Sequence, residues 1–100
     1  MINKAVPVTI RDKEYEIVVN VGSMLAVEKM AKKGFMEVLK ETDQGQLGPI
    51  ATLLAACLKE NKKPVGMEFI EILGFEEMES LLPSLMEAIT QSFPASDKKN

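Results

Sequence analysis

From Ala5 to Val19 apolar and polar side chains alternate, with Val6, Val8 and Ile10 on one face of a first segment and Tyr15, Ile17 and Val19 on one face of a second. A period of two predicts strands. A two-residue turn at Asp12 and Lys13 would set Ile10 opposite Tyr15, Val8 opposite Ile17 and Val6 opposite Val19, gathering the apolar residues on one side of an antiparallel hairpin. Lys13 would then stand where glycine is favoured for its positive φ, so a longer loop is the alternative. Pro7 has no amide proton to give to a ladder and marks the first strand as an edge.

Beyond Asn20 the period changes. Gly22 and Ser23 supply a flexible residue and an N-cap, which predicts a helix starting at Ser23 with Leu25, Val27, Met30 and Ala31 as its apolar residues. Glu28 and Lys32 are spaced for an i,i+4 pair, and Lys29, Lys32 and Lys33 lie where the helix dipole favours cations. Gly34 is the expected left-handed C-cap. A short helix from Phe35 to Glu41 carries Phe35, Val38 and Leu39 on one side, before a polar loop from Thr42 to Gly45.

Pro49 suits the first turn of a helix, and from Ile50 to Leu58 only Thr52 is polar. A helix that is apolar nearly all round is surrounded by other elements, so this is the expected central helix. Lys59 to Pro64 should stop it. A brief segment, Met67 to Leu73, offers Phe69, Ile70 and Leu73 on one face and is closed by Gly74. The last helix should start near Phe75 or Glu76 and run through Met78, Leu81, Leu82, Leu85, Met86, Ile89 and Phe93. Pro83 falls inside it at a cost of ~3 kcal/mol in an unbroken helix, which predicts a kink or split near Ser80 to Leu82. No repeat is present, and no heptad pattern long enough for a coiled coil. The expected architecture is α+β: an N-terminal antiparallel β-hairpin followed by a small bundle of four to five α-helices, one domain over 1–93 with a flexible polar tail over 94–100.

Composition narrows what such a domain can do. A chain of 100 residues holds one hydrophobic core, and 46% apolar with 27% charged residues is unlike a disordered chain. Seven methionines and no tryptophan make that core adaptable. A net charge of −3 with scattered lysines disfavours nucleic acid. No apolar run approaches the ~18 residues of a membrane span, and the first residues lack the apolar centre of a signal peptide. Cys57 is the only cysteine and lies in an apolar run, as a small buried hydrophobe would.

The absence of histidine removes the commonest general base, and one cysteine cannot build a zinc site. The glycines match neither a phosphate-cradling loop nor a dinucleotide fingerprint. The carboxylates sit on polar helix faces. No catalytic residue, cofactor or metal is therefore expected, and the chain is read as a protein that acts by binding another protein. So small a domain has limited interior, so part of its apolar set should line an exposed groove or a contact between copies. Phe35, Met36, Leu39, Phe69 and Met78, at segment ends or on short helices, are the candidates for partner binding.

The layout resembles the small tail assembly chaperones of long-tailed bacteriophages and the related small proteins of gene transfer agents. The resemblance is carried by the opening segment Val8 to Ile17, the helix with Glu28, the run Leu53 to Leu58, the segment Phe69 to Gly74 and the closing stretch Leu85 to Phe93. These are patterns of hydrophobicity and length over nearly the whole domain; the glycine usual in the hairpin turn is absent, and Pro83 interrupts the last helix. The resemblance implies a protein of the host bacterial cytoplasm, absent from the mature virion, that binds the tape measure protein and helps tail tube protein assemble around it. A structural head-tail connector, or an adaptor or antitoxin-like regulator acting through a dimeric helical face, are the alternatives.

Overall fold

Two consecutive residues with positive φ, Arg11 (53°) and Asp12 (66°), close the N-terminal hairpin between β1 (Val6–Ile10) and β2 (Lys13–Ile17). The structure is a computed structural model that describes residues 5–93. The expected tail, 94–100, lies outside the described residues. Val6 pairs with Ile17, Val8 with Tyr15 and Ile10 with Lys13, so the turn sits one residue earlier than Asp12–Lys13 and the register differs by two from the expected one. A slip of two keeps every side chain on its face. It also spares Lys13 the left-handed backbone that a turn of this kind demands at both central positions. Lys13 is instead extended, and its ammonium meets Glu60 at 2.6 Å.

The segment expected only to stop the central helix forms a second hairpin. β3 (Leu58–Glu60) and β4 (Lys63–Pro64) are joined by Asn61 (φ 52°) and Lys62 (φ 69°), a turn of the same kind as the first. β3 pairs antiparallel with β2 through Glu16–Lys59 and Ile17–Leu58, and the sheet order is β1-β2-β3-β4. Strands of three and two residues offer no alternation long enough to register as a period.

Both edges of this sheet carry proline. In a two-residue hairpin the closing pair exchanges both ladder bonds, so Ile10, Val8 and Val6 turn their amides toward β2, while Pro7 and Thr9 face outward. By the same parity Lys63 and Val65 turn toward β3, consistent with the Val65 N–H donating to the Leu58 carbonyl at 2.9 Å, and Pro64 faces outward. Each free edge therefore lacks a donor at one outward position, Pro7 on β1 and Pro64 on β4, while Thr9 keeps its amide.

The helices are α1 (Val21–Ala31), α2 (Phe35–Asp43), α3 (Leu47–Cys57), α4 (Gly66–Glu71) and α5 (Phe75–Ser92). α3 is the centre: Ile50 and every residue from Thr52 to Leu58 are buried, and it touches α1, α2 and α4. The Thr52 hydroxyl donates to the Gly48 carbonyl at 3.0 Å, which lets a polar side chain sit inside. α5 covers the inner face of β1 and β2. Burial pushes the Cys57 thiol up to about 12, leaving it protonated and unreactive.

Capping differs from expectation at both ends of α1. Asn20, not Ser23, is the N-cap: its Oδ1 accepts the Ser23 N–H at 2.8 Å. Ser23 is buried in the first turn, its hydroxyl donating to the Val18 carbonyl at 2.6 Å. Ser92, from the far end of α5, donates to the next carbonyl, Val19, at 2.7 Å. Two small hydroxyls thus satisfy the irregular backbone between β2 and α1.

At the other end Lys32 (φ 61°) is the left-handed C-cap, and Gly34 has extended backbone as the N-cap of α2. Gly34 has no side chain to offer, and the Glu28 carboxylate accepts the Phe35 N–H at 2.9 Å instead of reaching Lys32. Glu28→Ala is expected to cost about 1 kcal/mol, as loss of an N-cap does, and Glu28→Gln less because an acceptor remains; urea unfolding of the two variants checks this.

α5 does not split. It runs unbroken through Pro83, which is exposed. The missing amide leaves the Glu79 carbonyl without its intrahelical partner, and because that side of the helix faces solvent, water can take the place of the lost donor.

Candidate protein-binding surface

The five candidate residues do not converge on one patch. Phe35 and Met78 belong to the core, at 5% and 8% exposure, because the first turns of α2 and α5 point these side chains inward. Phe35 lies 6.1 Å from the Phe93 ring. Phe69 is half-buried with its ring 5.3 Å from Tyr15 on the inner face of the sheet, and Leu39 is half-buried against the core. Lysine at Leu39 or Phe69 would therefore disturb the fold as well as any contact. Of the five only Met36 is exposed.

The apolar residues that do face solvent are on helices or at their ends. Val21 and Leu25 stand one turn apart on α1, Leu47 opens α3, and Ile72 and Phe75 flank the turn from α4 into α5. Met86 and Phe93 continue along α5. Neither the burial of Phe35 nor the exposure of Leu25 is marked in the sequence, since both are apolar residues at helical spacing.

Between α2, α3 and α4 lies a cleft of about 500 Å³ lined by Val38, Leu47, Pro49, Ala51 and Met67. Lys33 and Glu41 form an ion pair of 2.8 Å at its rim, and Glu71 adds a second carboxylate. The floor of the cleft is apolar and its rim charged.

A long-range clamp holds the other end of the molecule. Arg11, at the tip of the first hairpin, donates to both carboxylate oxygens of Glu77, from Nε at 2.7 Å and from the terminal nitrogen at 2.8 Å, and also reaches the Ile72 carbonyl at 3.2 Å. Glu77 closes the N-terminus of α5 by accepting the Gly74 N–H at 2.8 Å. The Arg11 guanidinium, then the Gly74 amide, hold the Glu77 carboxyl down to about 2.

A carboxyl whose folded value lies below the unfolded one, ~4.3, stabilises the fold above that value and ceases to do so as the pH falls toward 2. Both side chains are largely solvated, so the contribution is small. In acid unfolding between about pH 4.3 and 2, Arg11→Ala is expected to lose less stability than the parent chain, as measured by urea midpoints at each pH.

Among the described residues no cluster of His, Cys, Asp or Glu is placed to hold a metal ion, and no helix is long and apolar enough to cross a membrane. Compared with known proteins, the chain matches no family model, no curated protein and no solved structure.

Proposed function

We propose that this chain is a tail assembly chaperone of a long-tailed phage or prophage, which acts in the host cytoplasm by covering an amphipathic helix of the tape measure protein until tail tube protein replaces it. The observation that carries this reading is the location of the spare apolar surface. It lies on helices, at Val21 and Leu25, at Met36 and Leu47, and along α5, whereas each sheet edge is interrupted by a proline at one of the positions where an added strand would need a donor. Strand addition is thereby disfavoured, and helix against helix is the mode left. A reversible cover needs no catalytic group, and a methionine-bearing surface adapts to varied apolar partners.

Co-expression with the tail proteins encoded beside it tests the proposal. A soluble complex with the tape measure protein should form and survive gel filtration, and mass spectrometry of purified particles should find no copy of this chain. Its presence in particles at a fixed ring stoichiometry would mean a head-tail connector, and a stable complex with a protein unrelated to tails would mean an adaptor or regulator.

A further inference from the structure

Along α5 a row spaced alternately by four and three runs through Phe75, Glu79, Leu82, Met86, Ile89 and Phe93, of which Phe75 and Met86 are exposed and apolar, Leu82 is half-buried, Glu79 is exposed and charged, and Ile89 is buried. This row flanks the buried face formed by Met78, Leu81, Leu85 and Ala88 and joins it at Ile89. Phe75 is 62% exposed and Met86 41%, with Leu82 half-buried between them, so the row is a seam that the monomer leaves open from Phe75 to Met86, about 17 Å at 1.5 Å per residue. An alternation of four and three is the spacing with which one helix accepts another in knobs-into-holes packing.

The charge beside the seam selects the occupant. Glu76 and Glu87 each follow a seam residue by one position, which places them about 100° round the helix on the solvent side, and Glu79 lies in the seam itself. From 64 to 93 the chain contains six glutamates and no Lys, Arg or His. Glu77 is taken by Arg11, while none of the ion pairs among the described residues involves Glu76, Glu79 or Glu87.

A second copy placed α5 against α5 would face acid with acid. The lysine-bearing side of α1 offers Val21 and Leu25, a single turn, with the exposed Met30 about 180° round the helix from Val21, against a seam of about three turns. We infer that the α5 seam is the docking site for an amphipathic helix of another protein whose apolar residues repeat by four and three and whose flanks carry lysine or arginine.

The inference rests on the helix-binding reading above but is tested apart from it. The probes are two synthetic amphipathic helices long enough to span the seam, with identical leucine rows, one flanked by lysine and one by glutamate. Fluorescence anisotropy with the full chain should show the lysine-flanked helix binding at least about tenfold more tightly, with the difference shrinking as salt is added. The exposed double variant Glu79→Lys, Glu87→Lys should reverse the preference, and Met86→Asp should weaken both, with circular dichroism confirming that each variant folds.

Equal binding of the two helices, binding insensitive to Met86→Asp, or light scattering that shows a dimer broken by Met86→Asp would overturn the inference. If the tape measure protein is captured equally by the parent and Met86→Asp chains, the helix-binding function stands and the seam is wrong. If the lysine-flanked probe binds but the tape measure protein does not, the seam stands and the tail function falls.

Discussion

Leu54→Ala is expected to lower the free energy of unfolding by about 2 to 5 kcal/mol, the range for deleting a fully enclosed leucine. Leu54 sits in the middle of α3 with no solvent exposure, between Leu53 and Ala55, which are equally enclosed. With the residues on either side of it in α3 sealed to the same degree, the upper half of the range is the expectation. Against the ~5 to 15 kcal/mol available to an ordinary domain, such a loss would leave little reserve. Thermal melting should show a midpoint lower by ~4 to 8 °C for each kcal/mol lost. Leu25→Ala, on the outward face of α1 at 60% exposure, is the control and should move stability by no more than ~0.5 kcal/mol. A similar loss for both would mean that α1 packs its outer face against something.

Pro83→Ala should act in the opposite direction and raise stability by about 2 kcal/mol. A proline within a helix costs ~3 kcal/mol relative to alanine, and of this ~0.4 to 1 is returned by the stiffer unfolded chain. The restored amide at position 83 would donate to the Glu79 carbonyl, the one that Pro83 leaves without its helical donor. Pro83 is exposed, so no packing is lost. Calorimetry and urea unfolding should both report the gain. An unchanged midpoint would show that water already serves that carbonyl as well as an amide would.

The faces of the first hairpin were legible from the sequence, and its turn was not, for one reason. A period of two fixes which residues share a side, yet a register shifted by two leaves that pattern intact, so only the backbone demand at Arg11 and Asp12 decides between the alternatives. The second hairpin is too short for periodicity to reveal. α3 was plain, because a run with one polar residue in nine has nowhere to go but inside. Its neighbour's caps were not: Asn20 and Ser23 both accept amides well, and the sequence alone does not tell which stands outside the helix.

The candidate surface was the least legible part. Phe35 and Met78 stand near the ends of segments, but position along a helix says little about which way its first turn faces. The open row on α5 was hidden by the buried one beside it. In sequence Leu81 and Leu82, or Leu85 and Met86, merge into one broad stripe, and only packing against β1 and β2 separates the enclosed member of each pair from the outer one.

The prolines at Pro7 and Pro64 also bear on abundance. With a proline interrupting each margin of the sheet, extension into a neighbour's backbone is weakened, and copies can crowd together with less tendency to seed fibrils. Under the proposed function, the chain could then be produced in excess of an oily client while its helical flanks stay open.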